Sequence, residues 1–197
     1  METKYIIIGV VVIVVLFVFY YIKITIDEKK GQNSEEKQKV KDIIKKITPE
    51  GEDYTALYAV WEKIDIGGGG RTVTTTTHYW YYAVGFKPGE LYVVPLSFDG
   101  GDISYGEPMN FTKENTGMIN AKEGDSWMSI YDLEGKEIVS VLAGPSNTKD
   151  DKYHPVNIQQ KEEYEAFCAF IKEFMKEVND YHNVTVTGKV GKPLAKK

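Results

Sequence analysis

The pattern of apolar and polar positions divides the chain into four kinds of stretch. From Tyr5 to Ile22 there is no period at all: the run is aliphatic and aromatic, interrupted by Gly9, and carries no charge. A helix over that run rises roughly 27 Å, close to the hydrocarbon thickness of a bilayer. In lipid a lone segment must satisfy its own backbone hydrogen bonds, so the expectation is a transmembrane helix within an anchor of residues 1–26. Tyr5 on one side and Tyr20 and Tyr21 on the other stand where interfacial aromatics belong, and Lys23 can snorkel.

Asp27 to Glu36 is a polar, charged run that reads as a juxtamembrane linker, followed by a helical period. Ser34 stands as an N-cap with Glu35 and Glu36 in the first turn. Val40, Ile43, Ile44 and Ile47 then form a narrow stripe that stops near Thr48 and Pro49. Such a stripe serves either a partner helix or, as is usual, packing onto its own domain. Residues 27–50 are thus expected as linker plus amphipathic helix.

Beyond Tyr54 the period becomes that of strands. Ala56 to Ile66 and Thr72 to Phe86 are the first two, the second passing from a threonine run into His78, Tyr79, Trp80, Tyr81 and Tyr82. Lys87 to Glu90 makes a tight turn, and Leu91 to Phe98 returns with Pro95, which points to an edge or a strand end. Asp99 to Pro108 reads as an irregular loop. Short strands follow near Met109 to Thr112 and Met118 to Ala121, and Trp127 to Asp132 pairs with Lys136 to Ala143 through Leu133, Glu134 and Gly135.

A long helical period closes the folded part. Between Gln159 and Asp180, Tyr164, Phe167, Cys168, Ile171, Phe174, Met175 and Val178 recur at steps of three and four, with lysines and glutamates on the other face. A globular domain is expected over 51–183. Residues 184–197 are expected as a mobile tail, with a short strand at Val184 to Val186 as an option.

Charge and composition narrow the options. The net charge is −5. A phosphate-binding surface needs a basic face, so nucleic acid is not an expected partner. A cleaved signal is the rival reading for the first run, but it lacks a basic n-region and an Ala-x-Ala-like site. Lys4 precedes the run, whereas Lys23, Lys29, Lys30 and Lys37 follow it, which places the domain in the cytoplasm at a cell membrane crossed once. The single cysteine, Cys168, excludes an intrachain disulfide. Asn110-Phe-Thr and Asn183-Val-Thr match the glycosylation pattern, which matters only in a eukaryotic secretory setting.

The order of elements, a series of antiparallel strands, a hairpin over Trp127 to Ala143 and a terminal amphipathic helix, resembles the pleckstrin-homology-like domains of bacterial membrane proteins. The likeness covers roughly Tyr54 to Asn179 and includes no specific motif; the tetraglycine run and the threonines are not typical of that family. It implies an α+β fold: a bent antiparallel sheet or barrel of about six or seven strands, capped by the final helix. It also implies binding or scaffolding without catalysis.

No chemical motif competes with that reading. Gly67 to Gly70, then Arg71 and Thr72, lacks the lysine and the following helix of a phosphate loop and reads as a hairpin connection. His78, His154 and His182 are far apart and have no ligand at metal spacing. Asp99 and Asp102 flank two glycines without a calcium-loop pattern, so a turn explains them. Cys168 lies on the helix stripe, where a thiol is packing material.

Tyr79, Trp80, Tyr81 and Tyr82 are the unusual local feature. Alternation sends Tyr79 and Tyr81 to one face and Trp80 and Tyr82 to the other, so these four, with Arg71, form the candidate binding surface. Catalytic, cofactor and metal residues are expected to be none. The expected function is a membrane-anchored, non-enzymatic domain binding a protein partner or a lipid headgroup. The alternative is an exported, surface-facing domain that binds a ligand or joins an envelope assembly.

Overall fold

The computed structural model describes residues 13–23, 35–49, 53–69, 72–99, 102–121, 126–147 and 155–184. Tyr5 and the first part of the expected membrane run, Ser34, Arg71, His154 and residues 185–197 of the tail expected over 184–197 lie outside the described residues. Residues 13–23 form helix α1, and its apolar side chains from Ile13 to Ile22 are all exposed. At about 1.5 Å per residue α1 rises roughly 16 Å. No helix among the described residues is long and apolar enough to cross a membrane.

The rest is α+β. Helix α2 spans Glu35–Ile47 and helix α3 spans Lys161–Tyr181. Between them run β1 (Thr55–Gly69), β2 (Thr72–Lys87), β3 (Glu90–Asp99), β4 (Asp102–Tyr105), β5 (Met109–Thr112), β6 (Met118–Ala121), β7 (Trp127–Tyr131) and β8 (Glu137–Ala143). These eight form one antiparallel sheet in the order β4-β3-β2-β1-β8-β7-β6, with β5 also on β3. A separate two-stranded pair joins β9 (Ser146–Asn147) to β10 (Ile158–Gln159).

The expected six or seven strands are therefore eight in the main sheet. The added one is β4, inside the stretch read as an irregular loop; Asp99 pairs with Asp102 across the glycine pair at 100–101. Pro95 is also corrected, because β3 is an interior strand. Its outer neighbour is β5 as far as Val93 and β4 from Leu96 onward. Pro95 sits at that changeover, where a missing N–H breaks no ladder bond. The Pro95 carbonyl accepts from Gly106 N–H at 2.9 Å.

Connectivity forces the sheet to curl. Flat, β5 and β6 would lie six neighbours apart, roughly 29 Å at about 4.8 Å each. The link from Thr112 to Met118 reaches only about 21 Å, at roughly 3.5 Å per residue. The two ends must therefore approach one another. Accordingly the inward residues of both halves, among them Leu57, Val84, Val93, Phe111, Ile119, Met128 and Val141, share one core with Phe167, Ile171, Phe174 and Val178 of α3.

The other face of β1, β2 and β3 is covered by α2. Val40, Ile43 and Ile44 pack there with Ala56, Tyr58, Ala83, Val94 and Leu96, so the stripe of α2 serves its own domain. Gly85 of β2 permits the approach: a Cβ built there would lie 2.5 Å from Ile44 Cγ2.

Candidate binding arm

Antiparallel pairing of β1 with β2 continues without a break from Thr55↔Phe86 to Gly69↔Thr72. The neighbours stop much earlier. On the outer side of β1, β8 pairs only with Ala59 and Val60; on the outer side of β2, β3 pairs from Tyr81 onward. Residues 61–69 and 72–80 therefore form a two-stranded ribbon that runs past the sheet, with no third strand among the described residues. Thr74 to Thr77 suit this place, since β-branching favours extended backbone and the hydroxyl tolerates water.

The register assigns the faces. Glu62, Ile64 and Ile66 lie opposite Tyr79, Thr77 and Thr75; Trp61, Lys63 and Asp65 lie opposite Trp80, His78 and Thr76. Glu62 through Gly68 are exposed, with Ile66 at 75% and Ile64 at 54%. On the second face Asp65 pairs with Lys63 at 3.3 Å and with His78 at 3.4 Å, and the His78 ring stacks on Trp80. The root is fixed by Trp61 against Trp127 and by Tyr81 between Tyr58 and Phe98.

The four aromatics singled out in the sequence have separate fates. Tyr82 is buried in the α3-side core, Tyr81 is half-buried on the α2 side, Tyr79 is half-buried and Trp80 is exposed at 40%. They do not form one surface. The exposed apolar side chains Ile64 and Ile66 are the part that sequence reasoning missed. Within a strand expected over Ala56 to Ile66 nothing marks them as exposed, and the only hint is a first hairpin much longer than the strands after it.

Other candidate groups have structural partners. Glu90 accepts from the Tyr54 hydroxyl and from Asn110 Nδ2, each at 2.6 Å, and Lys87 lies 3.7 Å away. Burial opposes the charge on Glu90, but these hydrogen bonds and Lys87 outweigh it and hold the carboxyl below its ordinary value. Burial and the bond to Glu90 push the Tyr54 phenol up to about 12. Asn110, one of the two glycosylation candidates, has its amide engaged there; Asn183 is exposed just beyond α3 with φ 55°.

Helix α3 is tied by two buried amides. Gln160 Nε2 donates to the carbonyls of Tyr58 and Gly144 while its Oε1 accepts from Tyr58 N–H, at 2.7, 2.9 and 2.8 Å. Asn179 makes the matching pair with the backbone of Ile119, both at 3.0 Å. Each side chain acts as a short piece of strand at a place where β1 or β6 lacks a neighbour. The α3 N-terminal turn is joined to α2 by Glu163 between Lys37 and Lys41, at 2.9 and 3.2 Å.

Cys168 is half-buried on the flank of the α3 stripe, and His182 bonds the Lys113 carbonyl at 2.7 Å. Among the described residues no group of three or more His, Cys, Asp or Glu could hold a metal ion. Compared with known proteins, the chain matches no family model, no curated protein and no solved structure.

Proposed function

We propose that this chain is a single-pass, membrane-tethered binding protein without catalytic activity, in which a pleckstrin-homology-like domain presents the β1–β2 ribbon to a protein partner. The carrying observation is the ribbon itself. Two isoleucines and a tryptophan stand in water on a stretch that contributes nothing beyond Trp61 and Tyr81 to the cores. Exposed apolar side chains on a projecting element are a usual mark of an interaction site. A protein partner fits better than a lipid headgroup, because the described ribbon carries Glu62, Lys63 and Asp65 and so has no excess of positive charge.

The tether reading draws support from α1, whose apolar side chains from Ile13 to Ile22 are exposed. The lysine bias after the run favours a cytoplasmic domain. Protease added to intact cells tests the orientation. The domain survives if it faces the cytoplasm, whereas digestion favours the exported, surface-facing alternative.

A further inference from the structure

The partner class follows from the open edge of β1. Where two copies of one strand pair edge to edge about a two-fold axis, residues opposite one another share a face, so one residue must sit on the axis and face its own copy. Centring the pair on Glu62, Lys63 or Asp65 puts like charges directly opposite, which is unfavourable. Centring it on Ile66 sets Lys63 and Asp65 against glycines. Centring it on Ile64 places Lys63 opposite Asp65 of the second copy twice, by symmetry, and puts the two Ile64 side chains together.

We infer that the β1 edge from Glu62 to Ile66 is a homodimer contact, in which the ribbon arms of two copies pair antiparallel about Ile64. This rests on the reading of the ribbon as a binding arm and names its partner as a second copy of the chain. The edge is free of β8 beyond Val60, its residues are exposed, and Lys63 and Asp65 are mutually complementary in one register, in which Glu62 faces Ile66. The same register brings Gly67 of one copy to Trp61 of the other, and a Cβ added at Gly67 would meet nothing within 4 Å in the single chain. The outer edge of β2 offers no such selection, since its threonines carry no charge.

The pairing also accounts for Lys63 and Asp65 as more than solvated edge charges. Within one copy they pair with each other at 3.3 Å; across the axis each exchanges that partner for its equivalent on the second chain. Tethering both copies in one bilayer raises their effective concentration, so a short contact of this kind suffices.

The test uses the full chain in membranes, with Cys168→Ser and a new cysteine at Ile64. In the proposed register the two Ile64 Cα atoms lie about 4.5–5.5 Å apart, within the span of a disulfide. A mild oxidant is expected to convert Ile64→Cys to covalent dimer, while Ile138→Cys, on exposed β8 surface, stays monomeric. Lys63→Asp and Asp65→Lys are each expected to lose the dimer. When co-expressed with different tags, the two variants are expected to recover it as a mixed dimer, a result that an intrachain role for the pair does not produce.

In the same membranes, Ile64→Cys no more cross-linked than Ile138→Cys, or variants that fail to complement, would each overturn the inference. Membrane attachment is read separately, from retention of the same chain in the membrane pellet after alkaline extraction. Loss of the dimer with retention removes only the second-copy assignment, and release from the pellet removes the tether whatever the dimer does.

Discussion

Gln160 shows what one residue decides in this fold. The helical period placed it near the start of the last helix, yet its side chain is buried and hydrogen-bonded to the backbone of β1. Nothing in a sequence distinguishes an amide that caps a sheet from one that faces water. Gln160→Ala strands the Tyr58 amide and carbonyl, and Asn179→Ala does the same to Ile119. Each is expected to cost about 1–3 kcal/mol, read from the midpoint of chemical denaturation. Lys161→Ala, on the exposed side of α3, is the control, with a change within about 0.5 kcal/mol.

The Glu90 cluster has a pH signature with a definite sign. Its carboxyl is lowered on folding, so its contribution is complete above the ordinary value of 4.5 and fades as the pH falls through the lower folded value. The Tyr54 phenol is raised, so its contribution is present below 10 and is lost as the pH rises toward about 12. Thermal unfolding of Glu90→Gln is expected to show a shallower loss of stability in acid than the wild type. Equal slopes would mean that this carboxylate is not held as the geometry implies.

At the scale of elements, pairs of strands were legible where turn chemistry marks them. Gly89, after Pro88, and Gly135 supply the positive φ that their hairpins need, at 79° and 80°. Asp132 adds a side-chain bond to the Lys136 amide at 2.8 Å. Strand β4 was missed because a four-residue strand with one half-buried side chain, Ile103, carries almost no period. The stripe of α2 fits a partner as well as the more usual packing onto its own domain, because a stripe gives the face of a helix but never its destination.

Gly85 is where that destination is enforced. Gly85→Ala is expected to destabilise by about 1–3 kcal/mol through overlap with Ile44. In combination with Ile44→Ala, which removes the obstructing methyl, the double variant is expected to lose less than the sum of the two single losses. Strict additivity would show that α2 does not press on β2 at this point. The arm behaves oppositely, for no described side chain beyond Trp61 is buried there. Ile64→Ser with Ile66→Ser is expected to shift stability by no more than about 0.5 kcal/mol per site.

For the whole molecule, order and type of the elements other than β4, β9 and β10 are legible in the chain, and the curl of the sheet is not. Curling follows from which strands pair, above all β1 with β8, a contact between residues far apart in sequence. The same pairing decides the candidate site. Because β8 leaves β1 after Val60, the rest of a long hairpin has no third strand among the described residues, and Ile64 and Ile66 end in water. The aromatic run drew attention for its composition, while the isoleucines beside the glycines carry the exposed apolar surface.

On the proposed reading the membrane run and the arm belong to one arrangement, in which an apolar N-terminal segment would hold the chain at a bilayer and the ribbon would meet a second copy. Spin labels on Ile66→Cys, in the full chain with Cys168→Ser and reconstituted in membranes, test this most directly. In the register centred on Ile64 the two labelled Cα atoms are about 14 Å apart, four strand residues along and one strand across. The account predicts strong dipolar coupling at one short distance, abolished by Lys63→Asp. Coupling no stronger than that from labels on Ile138→Cys would contradict it.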